Sequence, residues 1–180
     1  MRLIRILALM IAFALLPISA GAAEAQPMKD GLHQWPAMGG KLMLVVGSYQ
    51  DVTSFHRSYS FYFKEAKDDT WNEVAVLRKS GERAFPWQSA VGAEVTLADG
   101  IVVPRPDGIY FVVGDKRVGK NYYDKGDITV TWNKLMVEGD DKDPYASPYR
   151  LAPVFSRSYP KSALTVEAVL ARETTLRPSK

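Results

Sequence analysis

Turn residues interrupt every apolar run in the body of this chain before it reaches the length of an ordinary helix, and that punctuation limits what the chain can build. Residues 41–48 (KLMLVVGS) are a continuous apolar run whose length and valines fit a buried strand. Residues 58–64 (SYSFYFK) alternate, which puts Tyr59, Phe61 and Phe63 on one face of a strand and Tyr62 on the other. Asp68-Asp69 mark a turn, and 71–79 (WNEVAVLRK) reads as the next strand. Two hairpins follow. Residues 94–97 and 101–103 flank Ala98-Asp99-Gly100, where Asp-Gly is a strong turn signal. Pro104-Arg105-Pro106-Asp107-Gly108 is a second turn, leading into 109–113 (IYFVV), which Gly114-Asp115 closes. After a polar stretch, 127–137 (DITVTWNKLMV) alternates in its first half. Residues 26–40 read as irregular and 139–149 as a loop. The segment 162–172 (SALTVEAVLAR) fits both periods: Leu164, Val166, Ala168 and Leu170 alternate like a strand, while the alanines permit a helix. The strand is the preferred reading, with a frayed tail from Glu173 onward. Roughly six to eight short strands, with a turn about every 8–12 residues, predict a mainly β chain. The expected architecture is a single antiparallel β-sandwich or barrel-like domain.

The N-terminus has a different grammar. Arg2 and Arg5 form a short positive region, residues 6–16 are unbroken apolar, and Pro17 and small residues follow as far as Ala25. That order is a secretory signal peptide, and Ala23-Glu24-Ala25 fits its A-x-A cleavage pattern. The apolar run falls well short of the roughly 20 residues of a spanning helix. The expectation is a leader over residues 1–25, a single domain over 26–180, and a periplasmic address.

Composition then excludes several functions. Losing Arg2, Arg5 and Glu24 leaves 21 basic and 19 acidic residues, a net +2, which is too balanced for a dedicated nucleic-acid binder. The sequence has no cysteine, so thiol catalysis, disulfides, thiolate metal sites and a thioether lipid anchor are ruled out. An exported chain without disulfides must be stable through its core alone, which suits a bacterial periplasm. With only His33 and His56, a multi-histidine zinc site is excluded too. No cofactor is expected.

Four features compete for a functional role. His56 stands near Asp51, Ser54 and Ser58, the residue types of a hydrolase in which histidine takes a hydroxyl proton. The G-x-S-x-G elbow that would expose such a serine is missing, and a polar loop histidine explains the same residues. Gly139-Asp140-Asp141-Lys142-Asp143 offers alternate carboxylates for calcium but lacks the EF-hand spacing and its terminal glutamate, so a solvated acidic turn is preferred. Lys116-Arg117-Val118-Gly119-Lys120, followed by Asn121-Tyr122-Tyr123, sets basic residues beside aromatics as a modest anion-facing patch. Phe85-Pro86-Trp87 lies in a polar, turn-like stretch where an exposed aromatic loop would serve a partner, although Trp35, Trp71, Trp87 and Trp132 also suit a core. The candidate ligand- or partner-binding residues are therefore His56, Phe85, Trp87, Lys116, Arg117 and Tyr122.

Leu44-Val45-Val46, Ser54-Phe55-His56, Tyr59-Ser60-Phe61-Tyr62-Phe63 and Trp71 together resemble the N-terminal region of the periplasmic carbapenem self-resistance proteins of the CarG type. The resemblance implies an exported protective protein that works by binding, without turnover. The leading expectation is a periplasmic binding module that captures a toxic small molecule or a protein effector. A cell-wall hydrolase using His56 with a carboxylate such as Asp51 is one alternative, and a structural or adhesion subunit of the envelope is another.

Overall fold

The aromatic alternation of residues 58–64 governs the architecture. A computed structural model describes residues 28–52, 54–137 and 147–175. The expected leader and the acidic segment 139–143 lie outside the described residues. In chain order the strands are β1 (Gly31–Ala37), β2 (Gly40–Gln50), β3 (Phe55–Glu65), β4 (Asn72–Leu77), β5 (Arg83–Ala84), β6 (Trp87–Gln88), β7 (Ala90–Gly92), β8 (Val95–Arg105), β9 (Gly108–Lys116), β10 (Gly126–Val137) and β11 (Tyr149–Ser162). A single helix, α1 (Val166–Thr175), follows them. The mainly β expectation holds.

The strands join in one sheet ordered β1-β2-β3-β4-β11-β10-β9-β8-β7, with β5 on β4 and β6 on β3. Every pairing is antiparallel except β4 with β11, which runs parallel through Arg150↔Ala75 and Leu151↔Val76. The sheet curls into a half-barrel. Phe61 of β3 and Phe111 of β9 are separated by three strands in the sheet order, yet their ring centroids lie 4.9 Å apart. That contact requires the sheet to fold over itself.

Curling encloses an inner core of Leu42, Leu44, Val46, Tyr59, Phe61, Phe63, Trp87, Phe111 and Leu135. The outer face of β8–β10 is apolar as well, with Ile101, Val103, Val112, Ile128, Val130 and Trp132. Such a face must be covered. Helix α1 lies across it with Val166, Val169 and Leu170 buried. Each of those side chains contributes about 1.5–3 kcal/mol by leaving water.

Several expectations need correction. Residues 162–172 are mostly helical: Val166, Val169, Leu170 and Glu173 recur at helical spacing and all face inward. Thr165 caps this helix, its Oγ1 accepting the Ala168 N–H at 3.2 Å. Glu173 is no frayed end, since it is 1% exposed.

Asp99-Gly100 is no turn, because β8 runs straight through it from Val95 to Arg105. Asp99 is buried there by its partners Arg57, Tyr59 and Gly100, and the Phe111 ring lies where a Cβ on Gly100 would come within 2.3 Å. The Pro104–Gly108 turn is real, with Arg105 paired to Gly108.

Residues 31–37 are a strand rather than irregular. Met38 and Gly39 (φ 46° and 75°) turn the chain as the two central residues of a tight hairpin, and β1 pairs with β2 along its whole length. Two prolines hid β11. From Ala152 onward it pairs only with β10, so its free edge accommodates Pro153 and Pro160. Trp71, expected in the core, is exposed.

Candidate functional site: a cation-rimmed cleft

The parallel pairing of β4 with β11 stops at Val76↔Leu151. Beyond that point β4 turns into the β4–β5 hairpin (Val76↔Ala84, Leu77↔Arg83), while β11 continues beside β10. The sheet splits there, and the split opens a cleft of about 500 Å³ on the concave side.

The cleft is ordered from a closed end to a mouth. Along β10 the side chains Asn133, Thr131 and Thr129 follow one another on the same face, opposite Phe111, Val113 and Asp115 of β9. Trp87, Ala90, Ala98 and Val76 supply apolar wall. Arg78, Lys79 and Arg117 stand at the mouth with Asp115 among them. Desolvation pushes the Asp115 carboxyl above the usual carboxylate range, against the pull of Lys79 and Arg78.

Asn133 is the distinctive group. It is 3% exposed, and its Nδ2 donates to the Phe111 carbonyl at 3.1 Å and more weakly to the Thr131 carbonyl at 3.4 Å. Those contacts fix the amide, and its Oδ1 is left without a partner among the described residues. A buried acceptor without a donor costs about 1–3 kcal/mol. A β-bulge sits beside it, where the register shifts between Trp132↔Phe155 and Asn133↔Pro153. Bulges of this kind re-aim side chains next to sites.

A second hollow of about 410 Å³ lies between the ends of β3 and β8, lined by Phe55, Arg57, Ser89, Glu94, Asp99 and Glu167 among others. Here Arg57, Tyr59, Ser89 and Asp99 satisfy one another. Asp99 accepts from Arg57 at 2.9 Å, from Tyr59 at 2.5 Å and from the Gly100 N–H at 2.9 Å, while Ser89 Oγ accepts the Arg57 N–H at 2.8 Å. Burial raises the Asp99 carboxyl, and the bonds from Tyr59, Gly100 and Arg57 oppose it. Burial pulls the Arg57 guanidinium down, but Asp99 and Tyr59 outweigh this and hold it above its ordinary value. This arrangement is a closed structural network, whereas the cleft has a free acceptor.

The expected residues do not converge on one place. Trp87 and Arg117 line the cleft. Trp87 is 6% exposed and its ring meets those of Tyr59 and Phe111 edge-on, so it serves the core as well as the wall. Phe85, next to it across a cis peptide to Pro86, is 43% exposed. Lys116 donates to the Tyr122 carbonyl at 2.8 Å, and the Tyr122 ring lies against Gly92, so this pair braces the loop after β9 against the β7–β8 turn. His56 is elsewhere, on β3, with Nε2 3.0 Å from Asp51 Oδ2 and its ring stacked on Tyr49. Ser54 meets the other Asp51 oxygen through its backbone N–H, so the contact does not aim its hydroxyl at the histidine.

Sequence reading missed Asn133, Thr131, Thr129, Asp115, Arg78 and Lys79. A signal was present: in 127–137 the apolar residues Ile128, Val130 and Trp132 alternate with a polar row. That row reads as solvent-facing until the curl of the sheet is known.

The solved structure of CarG aligns with 77% of this chain and covers 90% of its own, with a TM-score of 0.60 and 19% sequence identity. This chain has a fold similar to that of CarG. The resemblance carried by Leu44 to Trp71 thus extends to the architecture. No family model matches the chain, and no curated protein matches it. Among the described residues no helix is long and apolar enough to cross a membrane, and no group of three or more metal-ligating side chains occurs.

Proposed function

We propose that this chain is an exported, protective binding protein that captures a toxic small molecule or a protein effector in the β4–β10 cleft and releases it unchanged. The observation that carries this reading is the cleft itself: a concave site with three cations at its mouth and a buried acceptor waiting at its closed end. Concave sites of this size, apolar-walled with a few convergent polar groups, are where proteins hold small ligands. The fold shared with CarG and the leader-like N-terminus are compatible with a protective role in the periplasm.

The test is a thermal-shift screen of residues 26–180 against β-lactams, muropeptides, glycans and divalent ions, followed by mass spectrometry of the recovered ligand. A ligand at 100-fold its dissociation constant adds about 2.7 kcal/mol and raises the melting point by about 5–10 °C. A shift with the ligand recovered intact supports capture. Conversion of the ligand on incubation with protein sinks it. Export is checked by the mass of the periplasmic protein, expected to begin at Gln26.

One contact favours a second reading, a cell-wall hydrolase. The Asp51–His56 pair orients an imidazole as a general base needs. Under that reading His56→Ala abolishes turnover while the fold persists; under ours it leaves protection unchanged.

A further inference from the structure

The cleft specifies the chemistry of its occupant. Its lining holds Arg78, Lys79 and Arg117 against one carboxylate, Asp115, so the balance of the lining is positive in a molecule close to neutral overall. Arg78 reaches Glu82 only at 3.8 Å, and neither Lys79 nor Arg117 has an ion-pair partner among the described residues. The walls along the middle are Val76, Leu77, Ala98 and Val113. At the closed end Asn133 lines the cleft with its NH2 group committed to the Phe111 and Thr131 carbonyls, and its buried Oδ1 is the acceptor left without a partner among the described residues. From Asn133 to the Thr129 level the floor advances four residues, about 13 Å at strand rise.

We infer that the β4–β10 cleft takes a small organic anion, with its acid group held among Lys79, Arg78 and Arg117, an apolar middle, and an N–H or O–H donor that reaches Asn133 Oδ1. This deepens the small-molecule branch of the proposed function and rests on it. A volume of about 500 Å³ suits a compact molecule of this length. Charge at the mouth supplies attraction and orientation, and the donor at the far end satisfies a buried acceptor left open among the described residues.

The probe is acetyl-tetra-alanine, which carries a carboxylate, methyl side chains and amide N–H groups, and whose acetylated amide lies about 13 Å from its carboxylate when extended. It is titrated into the ¹⁵N-labelled mature protein beside two variants, its methyl ester and the form N-methylated at the acetylated amide. Expected are saturable shifts of the backbone amides of residues 78–79, 113–117 and 129–133, with binding about tenfold or more weaker for each variant. Lys79→Glu with Arg117→Glu, both exposed positions, weakens the parent probe to a similar degree while the melting point stays put. Sodium chloride weakens binding to the wild type in the same direction, an independent check that needs no substitution. Equal binding of the ester overturns the anion, and equal binding of the N-methyl form overturns the donor. Absence of shifts in the cleft overturns both. Capture and protection by the wild-type protein are read separately, so their survival alongside such a result removes the ligand class alone, whereas their loss removes the binding function itself.

Discussion

Glu173 is the residue on which the outer half of the molecule converges. Its carboxylate accepts from Trp132 Nε1 at 2.9 Å, from Arg157 at 3.0 Å and from the Tyr159 hydroxyl. Three donors from two strands thus close on one acidic side chain of the helix. Glu173→Ala leaves all three without it, and we expect a loss of about 2–4 kcal/mol in urea unfolding. Gly100 is a position where size alone decides. A methyl group there enters the Phe111 ring, so Gly100→Ala is expected to cost about 1–3 kcal/mol through overpacking. Tyr149 makes an alkaline prediction. Burial and its bond to Glu65 push its hydroxyl up to about 12, from an ordinary value of 10.0. The folded state therefore keeps a proton that the unfolded state loses, so this contribution is intact below pH 10 and fades as pH rises toward 12. The melting point should fall across that window, and Tyr149→Phe should fall less steeply, since it has no proton to lose.

At the level of elements, α1 and β10 explain each other. Val166, Val169 and Leu170 repeat at helical spacing, but Leu164, Val166, Ala168 and Leu170 also alternate, so periodicity alone admits both forms. The apolar outer face of β8–β10 breaks the tie, because a helix brings its buried stripe onto that face. Gly114 lets it approach closely, as a Cβ there would lie 2.9 Å from Val166. Leu170→Ala is expected to cost about 2–5 kcal/mol, the usual range for an emptied leucine site. Thr165→Ala removes only the cap and should cost about 1 kcal/mol. A result with the two reversed, measured by chemical denaturation, would show that the helix is not held by packing. On β10 the same alternation that feeds the outer core leaves Thr129, Thr131 and Asn133 on the concave side, where they line the cleft beside the splayed β4–β5 hairpin.

Across the whole molecule, two cores share β9 and β10, each of which buries side chains in both. Deleting residues 163–180 would bare Val112, Ile128, Val130 and Trp132 at once, and we expect a chain that binds a hydrophobic dye and has no cooperative melting transition. What the sequence determined by itself was local. The aromatic alternation at Tyr59, Phe61 and Phe63, the apolar run of β2 and the Pro104–Gly108 turn each rest on residues close together in the chain, where side-chain period and turn chemistry act directly. Of the site only Trp87 and Arg117 were legible in the same way, since they stand out by residue type. Tertiary structure decided the rest. It carried β8 through Asp99-Gly100 because Arg57 and Tyr59, about forty positions away, supply the partners that hold a carboxylate inside. It made β11 a strand despite two prolines, because β4 leaves its edge open. It placed Asn133 at the end of a cleft, because only the curl of the sheet tells a polar row that faces water from one that faces a cavity. Periodicity assigns a residue to a face; what lies across from that face is fixed by long-range contacts, and there the fate of a buried polar group is settled.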